Sequence, residues 1–78
     1  MSKLTINVVL QVLRLVIACV AKAIRLIYSI QDIVDDGCLN ASVPRPDWMI
    51  TLQSALTSLQ TLSGHLSSVE EDVYGEAK

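Results

Sequence analysis

Few side chains in this sequence could do chemistry, and their spacing limits it further. His65 is the single histidine. It stands among Ser63, Gly64, Ser67 and Ser68, with no Cys, Asp or Glu three or four residues away, the spacing a helical metal site or acid–base pair would use. Cys19 lies among Ile17, Val20 and Ala21 and reads as a small core side chain. Cys38 follows Gly37 with no base beside it, so neither thiol is expected as a nucleophile. Glu70, Glu71 and Asp72 are consecutive, so on a helix they point in different directions and read as solvated charge. The expectation is no catalytic residue, no metal and no cofactor.

Two features stand above that background. Arg14, Lys22 and Arg25 fall on one stripe of a helix, where three cations could receive an acidic partner or a phosphate-bearing ligand such as an anionic nucleotide. The blander alternative is the exposed polar strip of an otherwise buried helix. Trp48, the sole tryptophan, stands beside Met49 at the end of a proline-containing link. There it either staples the end of a helical bundle or anchors a partner protein.

Charge and composition narrow the classes. A net charge of −2 argues against a general nucleic-acid binder, which carries a basic excess to neutralise phosphates. Two cysteines do not make a disulfide framework and suit a reducing compartment, so a cytoplasmic location is expected; an intermolecular Cys38 bridge is the minor alternative. The apolar stretch from Val8 to Ile30 is long enough to span a bilayer, but Arg14, Lys22 and Arg25 lie within it. Arg14 likewise interrupts what would be the apolar region of a secretory leader ending at Ala21-Lys22-Ala23. Neither membrane insertion nor a leader is expected, and the sequon Asn40-Ala41-Ser42 would matter only in a secreted chain.

The elements that hold these residues follow from period and punctuation. Asn7, Gln11, Arg14, Ala18, Lys22, Arg25, Ser29, Asp32 and Asp36 recur in steps of three and four, a polar stripe about 80° wide, and nearly everything else before Gly37 is apolar. Gly37 is expected to close that helix as a C′ residue. Pro44 and Pro46 exclude helix from the link, and Asp47 is placed to cap a second helix from Trp48. In that second helix Leu52, Leu59, Leu66 and Val73 repeat every seven residues, interleaved with Ala55, Leu62 and Val69. Its remaining face, from Thr51 to Val69, carries no formal charge, only Ser, Thr, Gln, Gly64 and His65, and reads as a solvated face or a second contact surface. Residues 1–31 hold Lys3, Arg14, Lys22 and Arg25 without an acid, whereas residues 46–77 hold Asp47, Glu70, Glu71, Asp72 and Glu76 without Lys or Arg. An antiparallel hairpin would bring Arg14 level with Glu70 and Glu71. Asp32, Asp35 and Asp36 at the end of the first helix would oppose its dipole, with Arg45 available to relieve them.

The expected fold is therefore all-α, one domain over 1–78. It consists of a helix over about 4–36, a link over 37–47, a helix over about 48–73 and a short tail over 74–78. One neighbour cannot cover a helix that is apolar over most of its circumference, and a chain of 78 residues is marginal as a single core. The hairpin is thus expected to assemble into a homo-oligomeric bundle, most simply a four-helix dimer. Its core would be Leu10, Leu13, Ile17, Val20, Ile24, Ile27, Leu52, Leu59 and Leu66. The functional expectation is a non-enzymatic adaptor or inhibitor that binds itself and another protein. A sequestering protein for anionic nucleotides is the first alternative, and a protein whose helix lies on a membrane surface is the second. Placing a charge at the centre of that core tests the facing: Val20→Asp should cost several kcal/mol and unfold the assembly, read as lost helicity by circular dichroism.

Overall fold

In a computed structural model that describes residues 2–77, the chain is two helices and one tight link, with no strand among the described residues. Helix α1 spans Lys3–Ala41 and helix α2 spans Trp48–Ala77. They pack along their length as an antiparallel hairpin measuring 59 × 15 × 14 Å. Its radius of gyration, 17.9 Å, exceeds the ~11.5 Å of a compact chain of this length.

One boundary of the link differs from expectation, whereas α2 begins at Trp48 as expected. Gly37 does not end α1; the helix continues through Cys38 to Ala41, and Ser42 supplies the left-handed residue at φ 54°. The Ser42 and Val43 amides donate to the carbonyls of Leu39 and Cys38, a Schellman closure. The cause lies downstream. A glycine permits a helix to stop but does not compel it, whereas Pro44 disfavours helical geometry at Val43 and leaves Ser42 as the place to turn. The link is thus residues 42–47, and Cys38 sits on α1, half-buried, rather than in the link. Asp32, Asp35 and Asp36 consequently lie a turn or more inside the helix, so their opposition to its dipole is weaker than expected. Arg45 folds back as foreseen, ion-paired with Asp35, its Nε donating at 2.6 Å.

At the other ends the helices also run long. Ser2 caps α1, its hydroxyl accepting from the Thr5 amide at 3.2 Å. Residues 74–77 extend α2 instead of forming a tail, since Gly75 stays helical and no proline follows; Lys78 lies outside the described residues.

The two helices pack along seams of heptad spacing. On α1 the residues turned to α2 are Ile6, Leu10, Leu13, Ile17, Val20, Ile24, Ile27, Gln31, Val34 and Cys38, all buried or half-buried. Their steps alternate four and three, the 3.5-residue period that keeps a seam against a neighbour. On α2 the matching seam is Met49, Leu52, Leu56, Leu59, Ser63, Leu66, Glu70 and Val73. The expected partners of the seven-residue repeat are therefore corrected. Leu56, 1% exposed, takes the place given to Ala55, whereas Leu62 and Val69 are 42% and 45% exposed. Leucine at 56 reaches across the seam where the alanine one residue earlier could not.

Because Gly37 is helical and a Cβ there would meet nothing within 4 Å, Gly37→Ala should stabilise the hairpin by about 0.5–1 kcal/mol. Urea unfolding measures this, and a C′ role for Gly37 would give the opposite sign.

Candidate interaction surface

The two flanks of the hairpin seam differ in kind. On one flank, side chains reach across between the helices. Gln60 Nε2 donates to Tyr28 Oη at 2.9 Å, Gln31 Nε2 donates to Gln53 Oε1 at 2.9 Å, and Arg14 Nε lies 3.8 Å from a Glu70 carboxylate oxygen. Arg14 thus meets Glu70, as the segregation of charge implied. All of these groups are solvent-accessible, so each pair contributes ~0–1 kcal/mol and mainly sets register. A shallow hollow on this flank, at the link, is lined by Gln31, Arg45, Pro46, Met49 and Gln53.

The opposite flank is mainly apolar. At 100° per residue, Val9, Val12, Val16, Cys19, Ala23, Leu26, Ile30 and Ile33 fall on the side of the α1 seam away from Tyr28 and Asp35. On α2, Ala55, Leu62 and Val69 fall on the side away from Gln53 and Gln60. Since Gln60 touches Tyr28 and Gln53 touches Gln31, the polar flanks of both helices share one side of the hairpin. Their apolar flanks must then share the other. The exposures agree: Val12 is 55%, Leu26 55% and Ile33 71% accessible. Leu4, Val8 and Leu15 extend the apolar surface to the back of α1.

The expected site residues divide between these regions. Leu10 and Val20 are buried and Leu13, Ile17, Ile24, Ile27, Leu52, Leu59 and Leu66 half-buried, all in the seam within one chain. Every member of the polar stripe from Asn7 to Asp36 is exposed. Of its three cations Arg14 is engaged by Glu70; among the described residues Lys22 and Arg25 make no ion pair. The stripe and the hollow at the link are separate, and Trp48 lines neither. Trp48 is not a buried staple: it is 53% exposed, and Met49, 7% exposed, closes that end instead. Cys19, expected in the core, is exposed on the apolar flank, because the seam passes through Ile17 and Val20 on either side of it.

Sequence reasoning passed over the apolar flank of α1 by treating its whole apolar arc as one surface. The signal was there: Thr5, Val9, Val12, Val16, Cys19, Ala23, Leu26, Ile30 and Ile33 also step by four and three, a second seam beside the first.

No family model, curated protein or solved structure matches this chain.

Changing Lys22 and Arg25 together to Gln should alter folding stability by no more than about 0.5 kcal/mol, since both are exposed. Chemical denaturation checks it, and a collapsed fold would mean that these charges are paired inside an assembly.

Proposed function

We propose that the protein is a non-enzymatic interaction module that self-associates and presents the assembled hairpins to a protein partner. The observation that carries this reading is the apolar flank shared by α1 and α2. The chain exposes 5775 Å² of surface, whereas a folded chain of 8.5 kDa ordinarily exposes about 4,650 Å². Elongation accounts for part of the excess, but its composition is the stronger point, since valine, leucine and isoleucine side chains supply much of the exposed α1 surface. Contiguous apolar surface of this extent marks a place where another molecule sits. Lys22 and Arg25 of the polar stripe remain outside that flank, available to an acidic protein surface once the apolar side is covered, in a cytoplasmic setting that keeps both thiols reduced.

A lipid surface is the second reading, and one observation favours it. An 18-residue stretch of α1 has mean hydropathy 2.2, and only 17% of it is buried inside the hairpin. Here the membrane would cover what the first reading gives to a protein.

Sedimentation equilibrium and thermal melts over a hundredfold range of concentration test the first reading. The expected result is a dimer or larger species whose melting temperature rises by roughly 3–5 °C per tenfold increase in concentration. A folded monomer at micromolar concentration would refute it. Co-flotation with neutral and anionic vesicles, with no self-association in the lipid-free protein, would favour the second.

A further inference from the structure

We infer that the occupant of the exposed α1 seam is the same seam of a second copy, antiparallel, about a twofold axis at Cys19. This rests on the self-association proposed above and adds its geometry.

Three observations point to this arrangement. The first is symmetry. A twofold contact is isologous, so each seam residue must meet a mirror position on the copy and the residue at the axis must meet itself. The exposed seam runs from Thr5 to Ile33 in nine positions, and Cys19 is the fifth. Pairing about it sets Val12 against the copy's Leu26 and Val16 beside the copy's Ala23, with no charged residue anywhere along the line. The second is charge. A parallel pair would stack Arg14, Lys22 and Arg25 of one α1 alongside their own copies and align two helix dipoles. The antiparallel pair opposes the dipoles and sets Lys22 level with the copy's Val16, with Arg14 level with the copy's Arg25 but on the polar stripe outside the seam. The third is area and match. A standard interface takes about 800 Å² from each partner, within the surface that the hairpin exposes beyond a compact chain. Stacking α1 on the copy's α2 instead would set the seam against a flank where Ser58 and His65 interrupt Ala55, Leu62 and Val69.

The α2 helices meet in the same arrangement. Arg14 stands level with Glu70 and Gln31 with Gln53, so the axis through Cys19 passes near Leu66. The acidic run Glu70, Glu71, Asp72 and Glu76 then lies on the far side of the axis from its copy, and like charges are kept apart.

Cysteine cross-linking distinguishes the possibilities, because Cys38 lies ~28 Å along α1 from Cys19, which separates the two Cys38 thiols of an antiparallel pair by roughly 57 Å. The full chain is treated with a short bis-maleimide, with the same reaction in denaturant as background, and its mass in solution is measured by sedimentation. The expected result is a covalent dimer that survives Cys38→Ser and is lost with Cys19→Ser. As a second measurement, Val12→Gln with Leu26→Gln should weaken dimerisation by about tenfold or more, while Cys19→Ser leaves it nearly unchanged. A sample that sediments as a dimer yet cross-links through Cys38, or through neither thiol, overturns the antiparallel seam and leaves self-association standing. A sample that sediments as a folded monomer overturns both.

Discussion

Everything in this molecule turns on a mismatch between one helix and its neighbour. Helix α1 carries two seams of 3.5-residue period side by side, and α2 can lie in only one of them. Among the described residues, the seam it occupies, from Ile6 to Cys38, keeps five side chains buried: Ile6, Leu10 and Val20 on α1 and Met49 and Leu56 on α2. That is a thin core for 78 residues. Each large apolar side chain fully buried is worth about 1.5–3 kcal/mol, and most of the seam is only half-buried. A second layer on the free seam would bury the outer edges of the first seam as well as the second, so the two contacts support each other.

The polar flank shows why the hairpin has a defined inside and outside despite so small a core. Arg14–Glu70, Tyr28–Gln60, Gln31–Gln53 and Arg45–Asp35 are spread along its length, each too exposed to add much stability. Their common side is what matters. They lock the two helices in register and in rotation, so that Val9, Val16 and Ile30 emerge on the same face as Ala55, Leu62 and Val69. Gln31 illustrates the device. It occupies a seam position where an apolar residue would be expected, and its bond to Gln53 ties the seam to the polar flank near the link. A slip of α2 by one turn would break that bond together with Arg14–Glu70 and Tyr28–Gln60.

The architecture was legible because its signals are periodic or prohibitive. Eight polar residues in phase, with Ala18 among them, identify α1, and two prolines place the link. The opposed charges of the two halves gave the pairing of Arg14 with Glu70. Boundaries were less legible, since Gly37 offers freedom without requiring its use, and five more residues of helix form before Pro44 forces a stop. The division of the α1 arc was missed for a different reason. A 100° wheel blurs two 3.5-residue seams into one broad arc, because each drifts around the helix by about 20° per heptad. Cys19 was assigned to the core on that wheel, although its neighbours Ile17 and Val20 are the seam members and it is not. Met49 was overshadowed by Trp48, yet only Met49 is in phase with Leu56.

The same geometry bears on whether lipid or protein covers the free face. Insertion of α1 across a bilayer would take Arg14 into the hydrocarbon, and a span centred further along would take Lys22 and Arg25, at ~2.5–3.5 kcal/mol for each cation near the centre. It would also act on the seam already made. Either α2 stays attached and carries Gln53, Gln60 and its many Ser and Thr side chains into the hydrocarbon, or it detaches and the buried contacts of Leu56 and Met49 are lost. A second copy imposes neither penalty: it covers the uncharged seam, leaves the polar stripe in water and keeps α2 in place. What it leaves uncovered is the back of α1, at Leu4, Val8 and Leu15. These lie nearer the N-terminal end of the helix, away from α2 and next to the free seam, Val8 lining one shallow hollow with Val9, Val12 and Val16. In a pair closed along the central seam, that patch would be the apolar surface left to engage a third molecule.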